Sequence, residues 1–367
     1  MTRESALTRT SPEGRPAASH VGTSTHGGNG RGATLDGVAR EAGVSRATVS
    51  RVVNGSPKVS PDVRRSVERA IARLGYIPNP AARSLVTRRS DSVGLVITEP
   101  ATRLFDDPFF PRLLRGISAE LSTRNLQLVL LMPEDGAAEQ RLQRYLGAGH
   151  VDGVILVSLH DADPLPAYLQ ERGVPMVVGG RLPAGVTASY VDVDNREAAR
   201  AAVQHLASRG RTRIATIAGP LDMGAGIDRL EGYLEGLAGV GHMRDDKLIA
   251  AADRFTYEAG ATAMRRLLAA APGVDAVFAA SDLLAAGALS VLRAAGRSVP
   301  GDIALVGFDD SPIAEATEPP LTSVRQPIED MGRELVRLLA ESLERPQRAT
   351  RRVLLSTELV PRASSGG

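Results

Sequence analysis

Residues 34–89 read TLDGVAREAGVSRATVSRVVNGSPKVSPDVRRSVERAIARLGYIPNPAARSLVTRR. Leu35, Val38, Ala39 and Ala42 recur at helical spacing on one face, and Val49, Val52 and Val53 resume an apolar face after a break. The break is Ala42-Gly43-Val44, where glycine supplies a backbone conformation that other residues resist. Thr34 and Ser45 stand where the N-caps of the two flanking helices belong. Two short helices around a glycine turn form a helix-turn-helix, whose second helix can enter the major groove of DNA. That helix carries Arg46, Thr48, Ser50, Arg51 and Asn54 on its polar face, donors and acceptors suited to base edges and phosphates. An ordinary helical hairpin with a solvated face would share this periodicity, so the residues that follow decide. Ser60-Pro61 is a cap followed by a first-turn proline and starts a third helix to about Leu74, which Gly75 ends. Two prolines hold 76–80 extended, and Asn79-Pro80 opens a short fourth helix over 81–86.

Charge supports the same reading. The chain of 367 residues has a net charge of only +2, but residues 1–90 hold 15 Lys and Arg against 6 Asp and Glu. The remainder holds 29 against 36. A basic head on an acidic body fits a head that meets phosphate and a body that does not. The chain has no cysteine, which excludes disulfides, thiolate metal sites and thiol nucleophiles. It has no apolar run of transmembrane length and no apolar signal core near its start, so a cytoplasmic protein is expected.

Residues 1–33 are rich in Ser, Thr, Gly and Arg and read as a disordered tail. From Ser92 short apolar runs alternate with helical patterns: 93–97, 126–132, 151–158 and 174–180 as strands, with helices at 111–124, 139–149 and 165–172 between them. The alternation restarts at Asp194, with strands at 213–220, 276–280 and 303–310 and helices over 194–209, 228–240, 257–271 and 282–295. Two successive α/β series imply two doubly wound lobes with parallel sheets. Neither contains GxGxxG or GxxxxGK[ST], which disfavours a nucleotide enzyme.

The segments DGVAREAGVSRATVSRVVNG and VSPDVRRSVERAIARLGYIPNPAARSL resemble the lactose-repressor (LacI/GalR) family of bacterial transcription regulators, densely and without gaps. The resemblance continues from Ser92 to about Arg362 through DNREAARAAVQHLASRGRTRIATIAGP, RLEGY, FAASDLLAAGAL, VPGDIALVGFDD and PPLTSVRQP. It implies an all-α helix-turn-helix head over 34–78, a hinge helix and linker over 79–91, and a two-lobed periplasmic-binding-protein-like core over 92–362 that binds effector and dimerises. Residues 363–367 are expected to be flexible. It also implies three chain crossings between the lobes. The implied DNA contacts are Thr34, Ser45, Arg46, Ala47, Thr48, Ser50, Arg51, Asn54 and Lys58, with Ala82, Arg83 and Leu85 in the hinge. Leu85 would wedge into the minor groove, where an apolar side chain can unstack a base step and kink the duplex.

A ligand of open α/β sheets sits at the carboxyl ends of strands. Signals there are the aromatic segment Phe105–Phe110, read as a loop after the first strand, which supplies Phe109 and Phe110; Arg181 after VPMVVGG; Arg229 at a helix start; and Asp309 ending IALVGFDD. Phe255, Ser281 and Asp282 complete the expected effector set. Many relatives carry an Asp-Arg pair where this chain has Gly180-Arg181, and Asn near Ser281 and Asp282. Aromatic rings suit the apolar face of a sugar, and Arg with Asp suits its hydroxyls. A sugar is therefore the first expectation and a purine the alternative. Asp194-Asn195 marks a crossover in the family, so Asp192, Asp194 and Asn195 are read mainly as hinge residues.

The expected protein is a DNA-binding regulator, a repressor, acting as a homodimer on a pseudo-palindromic operator and controlled by a small effector. VLLSTELVPR reads as one last strand segment ending near Arg362, and no leucine-heptad tail follows it, which favours a dimer over a tetramer. A solute-binding protein is opposed by the basic head and the missing signal core. An enzyme is opposed by scattered histidines and the lack of any Ser-His-Asp context or metal cluster, so neither cofactor nor metal is expected.

Overall fold

The computed structural model describes residues 33–77, 89–133 and 135–366. The expected tail, the hinge helix over 81–86 and its Ala82, Arg83 and Leu85 lie outside these residues. The described parts fall into two units, a head and a core.

The head is three helices: α1 (Leu35–Ala42), α2 (Arg46–Val53) and α3 (Pro61–Leu74). Thr34 Oγ1 accepts from Gly37 N–H and Ser45 Oγ accepts from Thr48 N–H, each at 3.1 Å. Such caps are each worth about 1 kcal/mol. Gly43 closes α1 with φ of 67°, the left-handed conformation read from the sequence. Val38, Ala39, Val49, Val52, Val67 and Ala70 form a closed core, so the predicted apolar faces of α1 and α2 meet a third one on α3.

The core holds two six-stranded sheets, each doubly wound. The first lobe contains β1 (Ser92–Ile97), β2 (Gln127–Leu131), β3 (Gly153–Val157), β4 (Met176–Gly179) and β5 (Ser189–Val193), ordered β2-β1-β3-β4-β5 and parallel throughout. Its helices are α4 (Ala101–Asp106), α5 (Phe109–Thr123), α6 (Gly136–Gly147) and α7 (Leu165–Glu171). The second lobe repeats this order with β6 (Ile214–Ala218), β7 (Ile249–Ala251), β8 (Ala276–Ala279), β9 (Ala304–Asp309) and β10 (Thr322–Arg325). It is covered by α8 (Asn195–Ser208), α9 (Gly224–Gly239), α10 (Tyr257–Ala270) and α11 (Asp282–Ala294), with a short α12 (Pro312–Ala316) near its edge. Central strands such as β3 and β8 are buried along their whole length, because helices cover both faces.

The chain crosses between lobes three times, as the resemblance implied. After β5 it enters the second lobe; after β10 it returns as α13 (Ile328–Glu344), which packs in the first-lobe core with Leu113 and Ile117 of α5. β11 (Arg352–Leu355) then joins β5, and β12 (Glu358–Val360) pairs antiparallel with β10 of the second lobe.

Three expectations need correction. The apolar run VLLSTELVPR is two strands in different sheets, not one. The segment Phe105–Phe110 is not a loop: Phe105 and Asp106 end α4 and Phe109 begins α5. Residues 363–366 are not a free tail. Ala363–Ser365 form a 3-10 turn in which Ser364 Oγ donates to Leu305 O and accepts from Thr322 N–H, while Ser365 Oγ lies 2.8 Å from His205 Nε2. Two buried serines look flexible in sequence because their anchoring is polar, through their hydroxyls and through backbone bonds such as Ser364 N–H to Pro320 O, and carries no apolar signal. Among the described residues no helix is long and apolar enough to cross a membrane.

Candidate functional site

Two sites arise from this fold, one in each unit. In the head, Ser45, Arg46, Ala47 and Arg51 of the α2 segment and Lys58 in the following turn are exposed, while Thr48, Ser50 and Asn54 are half-buried. The half-buried polar residues are held by one another: Ser45 Oγ and Thr48 Oγ1 are 2.9 Å apart, and Asn54 Nδ2 donates to Ser50 Oγ at 3.3 Å. Arg46 lies 3.5 Å from Asp36, and both are well exposed, so phosphate can compete for it at little cost. Thr34 is occupied as the α1 cap.

In the core, a cavity of about 110 Å³ opens between the lobes at the strand ends. It brings together Phe109, Phe110, Arg181, Arg229, Phe255 and Asp309, six of the eight expected effector residues. Ser281 and Asp282 do not line it. Ser281 caps α11 through Leu284 N–H, and the buried Asp282 accepts from Ser323 Oγ at 2.6 Å and Ser311 N–H at 2.7 Å. Both follow a strand end, as cleft residues do, but the helix N-terminus, the loop at Ser311 and strand β10 consume their oxygens. Burial raises the Asp282 carboxyl to about 7 despite these bonds.

The polar wall is a chain of contacts. Gln326 Nε2 donates to Asp309 Oδ1 at 2.6 Å, and Asp309 Oδ1 lies 3.8 Å from the Arg229 guanidinium. Arg229 donates from Nε to Asn195 Oδ1 at 2.8 Å and from a terminal nitrogen to Ala280 O at 2.6 Å. Asn195 Nδ2 then donates to Asp192 Oδ1 at 3.0 Å. The guanidinium is also stacked 3.7 Å from the centre of the Phe308 ring. Burial lowers the Arg229 pKa, against the pull of Asp309 and Asp192. Burial likewise lifts Asp309 to about 8, against the pull of Arg229, and Asp192 to about 6. Asp309 has φ of 107° and Ser158, at the end of β3, has φ of 61°, so two cleft side chains are aimed by strained backbone.

The apolar wall is aromatic. Phe109 and Phe110 meet edge to face with centroids 5.4 Å apart. The Phe255 ring lies over Gly219, where a Cβ would come within 2.3 Å of it. Arg103 sits between Phe110 and Phe255, 5.5 and 5.3 Å from their centres, and pairs with Glu99. Burial would raise the Glu99 carboxyl, but the bonds from His160 and Ser158 and the charge of Arg103 outweigh it and hold it at about 2. His160, reaching from the first lobe, lies 2.8 Å from Asp222 of the second, and Arg181 likewise reaches Asp228 at 2.7 Å.

Sequence reading missed Arg103, Asp107 and Gln326 as cavity residues and gave Asp192 and Asn195 mainly a hinge role. Asp107 and Arg103 were hidden because α4 was unrecognised. Asp192 and Gln326 are set by the crossovers, and no local spacing reports which residues two crossovers bring together. Among the described residues no group of His, Cys, Asp and Glu could hold a metal ion.

A helix-turn-helix and a two-lobed cleft in one chain define a ligand-responsive, DNA-binding transcription regulator. Residues 34–79 match the model of bacterial regulatory proteins of the lacI family, and residues 203–365 match a periplasmic binding protein-like domain. The HTH-type transcriptional regulator CelR of Thermobifida fusca is 53% identical over 90% of this chain and 98% of its own length. The HTH-type transcriptional repressor CytR of Escherichia coli is 34% identical over 91% and 96%. Among solved structures, a transcriptional regulator CelR–cellobiose complex matches with a TM-score of 0.73 and 51% identity, covering 90% of this chain and 99% of that one. The lac repressor dimer bound to operator and the anti-inducer ONPF matches at 0.78 and 28%, covering 91% and 99%. The chain belongs to the lacI family of bacterial regulatory proteins.

Proposed function

We infer that this regulator is a sugar-responsive repressor whose effector is a β-linked glucose disaccharide such as cellobiose, bound in the cleft between the lobes. The observation that carries the reading is the pairing of Arg229 and Asp309 at 3.8 Å opposite the Phe109, Phe110 and Phe255 rings. The gap is too long for a direct hydrogen bond, so the two groups stand side by side with capacity for sugar hydroxyls, the guanidinium as donor and the carboxyl as acceptor. The rings offer the flat apolar face that a pyranose needs. The likeness to a regulator solved with cellobiose supports the choice of sugar.

The head reads the operator with Arg46, Ala47 and Arg51 and positions itself through Thr34, Ser45, Thr48, Ser50, Asn54 and Lys58. Ala82, Arg83 and the Leu85 wedge act in the minor groove. Two copies in a symmetric dimer bind two half-sites, as the lac repressor dimer in its operator complex supports. The cleft serves to bind its sugar as a signal, as the likeness to transcriptional regulators over nearly the whole chain supports.

A thermal-shift series with cellobiose, other disaccharides, free sugars and purines tests the effector. Cellobiose at one hundred times its Kd raises the unfolding free energy by about 2.7 kcal/mol and hence the melting temperature. A shift with a purine and none with any sugar overturns the reading.

A further inference from the structure

One carboxylate beside the cavity serves both lobes. Glu99 follows β1 in the first lobe, and its side chain is buried. Three groups of that lobe converge on it. Arg103 donates to it from α4, Ser158 Oγ donates at 2.7 Å from the loop after β3, and His160 Nε2 stands 3.4 Å away on the same loop. Two of the three are bases that reach past Glu99 to the second lobe. The Arg103 guanidinium lies 5.3 Å from the centre of the Phe255 ring, in the loop after β7. The other nitrogen of His160 lies 2.8 Å from Asp222, in the loop after β6. A ring with a carboxylate at each nitrogen carries both protons. The bond to Glu99 is the largest cause that raises His160 to about 9, so the ring is a cation at neutral pH.

Glu99 is thus a buried anion between two cations, and each cation ends on a different loop of the other lobe. Beside them, the Asp161 N–H donates to Asp222 O at 2.7 Å. All three contacts join groups that stand on different lobes, so opening the cleft breaks them together. The remaining ion pair across the cleft, Arg181 with Asp228, is half-exposed at the arginine, and such pairs contribute little. The Glu99 charge decides whether the two prongs stay in place. His160 can shed a proton when its partner is lost, but a guanidinium cannot. Among the described residues Arg103 donates to no other acceptor: its Nε has no hydrogen-bond partner, and Asp107 stands 3.8 Å from it. Removing the Glu99 charge leaves a nine-tenths buried cation unpaired, which is strongly unfavourable. The solvent-open side of the cleft is then its route to water.

Resting on the reading of the cleft as the effector site, we propose that Glu99 is a positioning residue for lobe closure. It holds Arg103 and His160 as a two-pronged clasp on the second lobe, and effector affinity depends on that clasp.

Amide hydrogen exchange of the full chain tests this without any ligand, because the Asp161 amide is itself bonded across the lobes. Exchange at Asp161 should be roughly tenfold faster in Glu99→Gln than in wild type and roughly threefold faster in Asp222→Asn, while the β3 and β8 amides keep their protection. Glu99→Asp, which keeps the charge, should fall between wild type and Glu99→Gln. Titration calorimetry with cellobiose supplies the second readout. An effector that binds the closed cleft loses affinity in proportion to the closed fraction, so Glu99→Gln and Asp222→Asn should each bind it roughly threefold or more weakly. Asp222 does not line the cavity, so its substitution acts on cellobiose through closure. Unchanged exchange at Asp161 in both variants, equal acceleration in β3 and β8, Glu99→Asp as fast as Glu99→Gln, or unchanged cellobiose affinity in Asp222→Asn overturns the clasp and leaves the sugar reading standing. Should Glu99→Gln fail to fold, Asp222→Asn decides by the same two readings. Failure of wild type to bind cellobiose overturns the sugar reading, and exchange at Asp161 then decides the clasp.

Discussion

Arg51 is exposed on α2 with no ion-pair partner among the described residues, so its donors are free for a base edge. Arg51→Ala is expected to weaken operator binding by about 1–3 kcal/mol and binding to unrelated DNA by far less. Equal losses in a mobility-shift titration against both would make Arg51 a phosphate contact. In the cleft, Asp309→Ala removes the acceptor beside Arg229 and leaves a buried guanidinium without its nearest carboxylate. Effector affinity should fall tenfold or more while operator binding without effector is kept, as titration calorimetry and mobility shifts would read. Both residues were legible in sequence, because a helix face and a strand end are local features. Ser281 and Asp282 show the limit. A strand end puts a residue near a cleft, but only the neighbouring chain reveals that Ser311 and Ser323 already occupy the Asp282 oxygens.

The alternation of strands and helices was readable over most of the core, since apolar runs of strand length flank amphipathic stretches of helix length. Partner choice was not. Nothing in VLLSTELVPR says that its two halves pair with β5 and β10, because pairing is decided by the sheet edges left open and not by the strand itself. The close packing of α5 and α13 was equally silent in sequence. A Cβ at Gly116 would lie 2.0 Å from the Glu329 carbonyl oxygen, so the helices touch backbone to backbone there. Gly116→Ala must push them apart and should destabilise the core by about 1–3 kcal/mol, despite the higher helix propensity of alanine. A lower urea midpoint checks this, and an unchanged one would mean that α13 shifts without cost.

Across the whole molecule, the lobes are tied by Arg181 to Asp228, Arg112 to the Asp309 and Asp310 carbonyls, and His160 to Asp222. His160 is raised to about 9 by its bond to Glu99, despite burial, with Asp222 adding to the effect. Its contribution is therefore complete below the unfolded value near 6.5 and is lost as pH rises through about 9. Asp309, raised to about 8 by burial, acts in the same direction, because the folded state again holds the proton more tightly. The melting temperature should fall between pH 6.5 and 9, and less steeply in His160→Gln. Parallel slopes for the two proteins in differential scanning calorimetry would remove His160 from the account. The three crossings have a further consequence for how the chain emerges from a ribosome. The head has its own core and is finished once Leu74 is made. The first lobe lacks α13 and β11 until Leu355, and the second lacks β12 until Val360. Domains fold as units, N-terminal first, so a chain stopped between 90 and 327 carries a folded three-helix head and neither finished lobe. Premature termination over most of the gene's length therefore removes the sensor and leaves only a single folded head, without the dimerising core that pairs two heads on two half-sites.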